Sequence, residues 1–429
     1  MTASIQSYPT WSPLANGPDA DDAWEAIFAI AHDLQTFYSP EQSIDASLGS
    51  GAAGIALFFS YLHLACPGRG HDEVARRYLD RAFDITASSP TTFALFGGFV
   101  GVAWAAALCE PLIAPTAELT DLDEIDDALL TIVKGSGIPH FDLISGLAGV
   151  SIYAVERLPR TTALQTVTAL LDDFDRRTVL ERGGVTWHTP ASLLPEHQRS
   201  LSPEGHRDLG VAHGVAGTLG VLSLIHDCDM LRAKAHRLFD AGSKWLMQQR
   251  LPDNPNGVFP YSVDSVGKSN GGSRLAWCYG DLGIACILCS SAQTVPEANL
   301  GATAIELALR AAKRPFGASG VVDACLCHGA AGNSHLFHRL FRATGLEQLR
   351  DASLAWFHHV LLLRAAGVGV GGFSYIEKTG KPTASAGLLE GAAGIGLALL
   401  AVVTSNAPDW DRMFLVSRHQ PRGSPIQST

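Results

Sequence analysis

The sequence predicts an all-α protein, an α/α toroid of seven inner and seven outer helices, on three observations. A block with two glycines three residues apart recurs seven times: Gly51 and Gly54, Gly98 and Gly101, Gly146 and Gly149, Gly214 and Gly217, Gly280 and Gly283, Gly329 and Gly332, Gly391 and Gly394. Each block opens an apolar, small-residue stretch of helical length, and an amphipathic stretch lies between blocks. The first glycines are 47, 48, 68, 66, 49 and 62 residues apart, which suits a helix pair plus a loop, with some loops expanded.

Along the chain the elements alternate. Amphipathic helices are expected over 23–37, 73–85, 122–133, 163–176, 232–250, 297–313 and 347–363, where apolar residues recur every three or four positions. Mostly buried helices are expected over 53–65, 100–109, 148–156, 216–226, 282–291, 331–341 and 393–403. A buried helix in every repeat needs a shared interior, and the amphipathic set can wall it from water. Two concentric rings meet that need and leave no end repeat to cap; an open superhelix of helix pairs is the rival geometry. Aromatic and β-branched residues after glycine in 183–187, 257–261 and 371–375 predict short extended segments on one rim. The toroid is expected to occupy residues 21–403, after a polar segment 1–20 and before a tail, 404–429, whose last dozen residues are loose.

Composition bounds the function. A hydrophobic fraction of 47% with 17% charged residues supports a large core. Net charge is −11 and no basic run is present to track phosphates, so nucleic acid is not an expected partner. The first twenty residues lack a basic-then-apolar signal pattern, and the apolar run 55–66 is too short to span a bilayer. Eight cysteines in 429 residues do not make a disulfide scaffold, so a reduced, cytoplasmic protein is expected.

The chemistry lies in the register of the blocks. Two residues before the first glycine stand Cys278 in the fifth block and Cys327 in the sixth; one residue before it stand His213, Tyr279, His328 and Glu390 in blocks four to seven. Neighbouring inner helices would bring these slots together at one rim. Zinc favours thiolate and imidazole donors, and three protein ligands leave a fourth position open. Cys278, Cys327 and His328 are therefore the candidate ligands, against the bland reading of buried small cysteines. Cys325 sits two residues out of register, Cys286 and Cys289 read as packing residues, and Cys66, Cys109 and Cys228 as structural ones. A centre with two thiolates suits binding an incoming thiol and holding it as thiolate for attack on an electrophilic carbon. His213 shares the slot of His328 and is either a proton carrier at the same opening or a core histidine. Asp142, four residues before Gly146, is its candidate partner or a helix cap. Arg274 and Tyr279 flank Cys278 and either anchor a substrate carbonyl or pack; Glu390 is an inward group or a solvated rim carboxylate.

These segments resemble the lanthionine synthetase C-like family, cyclases that close thioether rings in lanthipeptides. The resemblance runs over nearly the whole chain through 47–54, 142–149, 210–217, Trp277 to Gly280, Cys327 to Gly329, and 387–391, and it implies a seven-fold α-toroid. It also implies that Cys278, Cys327 and His328 bind Zn2+, that Asp142 and His213 form the acid/base pair, and that Arg274 and Tyr279 are further active-site residues. One departure is Leu282, where the family commonly has proline before the second glycine of the fifth block; the ligands are untouched. The implied substrate is a dehydrated precursor peptide, whose dehydroalanine or dehydrobutyrine accepts a peptide cysteine. A separate dehydratase and a peptide exporter are implied partners, with the protein cytoplasmic and at most peripheral to a membrane-associated complex. The rival readings are glutathione addition to dehydroamino acids, a prenyltransferase-like barrel, and a non-catalytic peptide-binding toroid with a structural zinc closed by Cys325.

Overall fold

The computed structural model describes residues 10–38, 44–135, 137–251, 254–269, 271–295 and 300–418. Two helical sets alternate along it. The inner helices are α2 (Ala52–Ala65), α4 (Phe99–Ile113), α6 (Leu147–Glu156), α9 (Val215–Ile225), α11 (Asp281–Ser291), α13 (Ala330–Thr344) and α15 (Ala392–Val403). The outer helices are α1 (Pro18–Phe37), α3 (His71–Ser88), α5 (Asp123–Lys134), α7 (Thr161–Arg176), α10 (Arg232–Met247), α12 (Leu300–Ala312) and α14 (Glu347–Leu362). A single-turn helix, α8 (Glu196–Arg199), lies in the loop after α7. The first three residues of the helix expected over 297–313, and the ends of both terminal segments, fall outside the described residues.

Composition explains which set goes inside. Helix α2 buries every residue from Ala52 to Leu62, whereas α3 buries only His71, Val74, Ala75, Tyr78, Leu79 and Ala82. Each inner helix packs on the next, and α15 closes on α2, so the ring is complete. Each inner helix also packs on the outer helix that follows it, but α15 takes α1 instead. The first helix of the chain thereby completes the last repeat.

The glycine block has one physical cause. Its first glycine is the N-cap of all seven inner helices, and no cap side chain serves those helices. The incoming backbone does that work: His140 and Phe141 carbonyls accept from Leu147 and Ala148, and Asp323 and Ala324 carbonyls from Ala330 and Ala331. The chain must therefore lie flat on the first helical turn. A Cβ on the second glycine of any block would come within 1.8–2.3 Å of the carbonyl oxygen six residues before it. The folded-back segments then bond to one another around the rim. Gly49 donates to the Phe96 carbonyl, Leu143 to Ala212, Val211 to Cys278, Trp277 to Cys327, Cys327 to Leu389, and Leu388 back to Gly49.

Three small antiparallel pairs sit in the long connections: β1 (Thr178–Glu181) with β2 (Gly184–Trp187), β3 (Arg207–Asp208) with β4 (Ser262–Val263), and β5 (Tyr375–Ile376) with β6 (Pro382–Thr383). Two expectations need correction: the strands begin at Ser262, not within 257–261, and at Tyr375, since Gly371 and Gly372 have positive φ. The N–H groups of Val258 and Phe259 are already taken by the buried Asp281 carboxylate.

The sequence reading ends the toroid at residue 403, yet residues 404–418 turn back into its centre. A 3-10 helix, Asp409–Phe414, is buried almost throughout. Its aromatic residues meet Phe96, Trp277 and His335 from different repeats, and Leu415 abuts Gly220 of α9. Asp411, fully buried, accepts from His335, Arg339 and Ser417. The toroid would otherwise enclose a void, and Trp410, Met413 and Phe414 fill it.

Candidate metal centre and active site

Because every inner helix starts at the same rim, the residues just before each block are set side by side. Cys278 precedes α11, and Cys327 and His328 precede α13. Their ligand atoms all lie within 4.8 Å of one another. Tetrahedral zinc with bonds of about 2.0–2.3 Å separates its ligand atoms by about 3.5–3.8 Å, so the group fits the ion. Cys278 and Cys327 are buried and His328 is half-buried. Both cysteines sit at helix N-termini, which favour negative charge.

The thiols are electrostatically unequal. A hydrogen bond from Cys327 drives Cys278 well below the ordinary thiol value; burial opposes it, and His328 and Arg274 assist. Cys327 is itself raised well above that value by its bond to Cys278 and by burial, and burial also pushes Cys109 and Cys289 up to about 12 and raises Cys286 and Cys325. Cys325 belongs to a second group with Asp323 and the same His328, apart from the two-cysteine group. A closed site completed by Cys325 therefore finds no support in this arrangement.

His213, just before α9, comes next around the rim. Its Nδ1 lies 2.6 Å from Oδ2 of the buried Asp142, which precedes α6. An ionised carboxylate only accepts, so Nδ1 carries the proton and Nε2 is left for the opening. Asp142 does not cap α6: its Oδ1 takes the N–H of Ser145, which lies before the helix starts, at 2.7 Å. Burial works to lower the His213 pKa, but the hydrogen bond and charge of Asp142, backed by Asp208, carry it above the usual value. The imidazole keeps 45% of its side-chain surface exposed.

Tyr279 follows Cys278, with its ring centroid 6.3 Å from that of His213. Arg274 donates from its backbone N–H and from Nε to the Tyr261 hydroxyl. Glu390 is exposed on the rim. The structure thus brings Asp142, His213, Arg274, Cys278, Tyr279, Cys327 and His328 to four consecutive inner-helix starts. The sequence reading missed three residues here. Asp208 receives the Tyr279 hydroxyl at 2.8 Å, Tyr261 holds Arg274, and Asp323 joins the Cys325 turn to the Ile376 N–H of β5. For the aspartates a signal existed: Asp45, Asp208 and Asp323 each stand six residues before a block and accept the N–H two residues on.

Fold and rim together define an α/α toroid with a two-cysteine, one-histidine group that could hold a metal ion at the N-terminal ends of its inner helices. Residues 42–415 match the family model described as lanthionine synthetase C-like protein. The chain belongs to that family. Among solved structures it is similar to a nisin cyclase, at 15% identity and a TM-score of 0.74, over 92% of this chain and 98% of that one. It also aligns with cellobiose 2-epimerase from Bacillus thermoamylovorans B4167, at 10% identity and a TM-score of 0.46, over 90% of this chain and 98% of the other. No described helix is long and apolar enough to cross a membrane.

Proposed function

We propose that the protein is a zinc-dependent lanthipeptide cyclase, adding peptide cysteine thiolates to dehydroalanine or dehydrobutyrine to form thioether rings. The observation that supports it most is the proximity of the Cys278, Cys327 and His328 donors, next to the His213–Asp142 pair. Cys278, Cys327 and His328 would hold a zinc ion, whose charge would keep an incoming thiol as thiolate at neutral pH, the thiol proton leaving to His213 or water. In this reading the thiolate bonds to the β-carbon of the alkene, and a proton is added to the α-carbon; nothing is oxidised or reduced. His213 carries that proton at Nε2, while Asp142 holds the ring by Nδ1 and favours its charged form. Arg274, clamped by Tyr261, offers its guanidinium to the enolate oxygen that develops when the carbon–sulfur bond forms. The alkene comes from a separate dehydratase acting on Ser and Thr of the same precursor, and the eight free cysteines suit a reducing compartment.

The test is Cys278→Ala. Metal analysis should show loss of bound zinc, and incubation with dehydrated precursor should leave its free thiols unconsumed at constant mass. Undiminished ring closure by metal-free variant protein would overturn the proposal. Glutathione in the same incubation separates thiol-adduct chemistry, which adds the mass of glutathione, from cyclisation, which adds none.

A further inference from the structure

Asp208 is buried and lies beside a site residue of the thiol-addition reaction without reaching the opening. Its Oδ1 is pinned by the Gly210 N–H at 2.8 Å, which leaves Oδ2 to accept the Tyr279 hydroxyl, also at 2.8 Å. His206 is farther off, with Nε2 3.8 Å from the same oxygen. The Tyr279 ring is held on two other sides. Tyr261 meets it edge-on at 5.2 Å between centroids, and Gly210 lies so close that a Cβ there would stand 2.6 Å from Tyr279 Cδ1. A ring gripped this way has one orientation, and its hydroxyl has one proton to give.

We propose that Asp208 is a positioning residue: by taking the phenolic proton of Tyr279, it fixes that ring beside His213 and turns the lone pairs of the tyrosine oxygen, not its proton, toward the opening. Tyr279 then serves as a hydrogen-bond acceptor for substrate N–H and is removed as a competing acid, so the α-carbon proton comes from His213. The inference rests on the cyclase reading above. The Asp208 carboxyl is raised to about 6, burial being the largest cause even after the nearby His213 charge and the Tyr279 and Gly210 hydrogen bonds pull it down. Its acceptor role rests on geometry: both carboxylate oxygens face donors, the Gly210 N–H and the Tyr279 hydroxyl.

Asp208→Asn separates this role from simple packing. The side-chain shape is kept, and Asn Oδ1 can stay on the Gly210 N–H, but its amide then donates to the tyrosine oxygen and releases the phenolic proton. With zinc still bound stoichiometrically, kcat should fall by on the order of tenfold to a hundredfold, while KM stays within about threefold. Asp208→Ala should do the same. Asp208 also lends its charge to His213, so each protein is compared at its own pH optimum; there the Asp208→Asn, Tyr279→Phe double variant should match Tyr279→Phe within about twofold. Proton NMR on the resting protein gives a readout free of turnover: a slowly exchanging hydroxyl resonance, absent from Tyr279→Phe, should be lost in Asp208→Asn. Wild-type kcat in Asp208→Asn, additive losses in the double variant, or an unchanged hydroxyl resonance would each overturn the inference. If the wild-type protein closed no ring, the cyclase reading would fall, and the resonance alone would decide whether Asp208 holds the phenolic proton.

Discussion

At the scale of single residues, the site is governed by which carboxylate faces which proton carrier. Asp142 contacts His213 directly and raises its pKa despite burial, whereas Asp208 contacts Tyr279 and influences His213 only through its charge. A protonated imidazole that acts as acid is lost as pH rises through its pKa, so kcat should decline on the alkaline side. Asp142→Asn removes the charge that carries His213 upward. The alkaline limb of the kcat–pH profile should therefore move to lower pH, and a limb that stays in place would exclude His213 as the acid. The same shift has a stability sign. A histidine raised in the folded state contributes stability that is complete below its unfolded value of about 6.5 and is lost as pH rises through the folded value.

At the scale of the element, the glycine block is a capping device in which backbone replaces side chain. The first helical N–H groups are satisfied by carbonyls seven residues earlier, and the second glycine gives those carbonyls room. Gly101 shows the constraint sharply: a Cβ would stand 1.8 Å from the Leu95 carbonyl oxygen and 3.0 Å from Leu48 Cβ of the preceding repeat. Gly101→Ala should cost at least about 1–3 kcal/mol, read as a fall in Tm. Gly317→Ala, with nothing within 4 Å of the added atom, should stay within about 0.5 kcal/mol. Equal effects would mean that the glycines serve some purpose other than backbone approach.

At the scale of the molecule, closure depends on both ends of the chain. Helix α1 completes the repeat of α15, and the 3-10 helix Asp409–Phe414 fills the centre, tied to α13 by Asp411 and to Glu156 of α6 by Arg412. Trp277, next to Cys278, donates its indole N–H to the Phe414 carbonyl and packs against that ring at 4.5 Å. The C-terminal segment thus holds the residue next to Cys278 in place. Burial works to raise the Asp411 carboxyl, but Arg339 and His335 hold it below the usual range. Its contribution to stability is present above about pH 3.9, the unfolded value, and is lost as pH falls through the folded value. Asp411→Asn leaves buried Arg339 and His335 facing a neutral amide and should cost about 3–5 kcal/mol in thermal or denaturant unfolding. Arg350→Ala, which breaks an exposed pair with Glu347, should move stability by less than about 1 kcal/mol.

What could be read from the chain was whatever the backbone enforces locally. Seven glycine pairs mark seven helix starts, small apolar residues mark the inner set, and the shared slots of Cys278 and Cys327 mark the side chains that meet, because neighbouring helix starts set equivalent positions side by side, even though Gly280 alone among the N-cap glycines of the inner helices has a positive φ. The sequence by itself therefore determined the repeat, the two helix classes and the candidate ligands. Only the tertiary structure decided that Asp208 grips Tyr279 across 71 residues, that Tyr261 holds Arg274, that α1 belongs to the last repeat, and that the polar-looking segment after residue 403 packs in the centre. Those contacts follow from the curvature of a closed ring and the path of loops between its helices, and curvature is a property of how the helices pack together, not of any one stretch of chain.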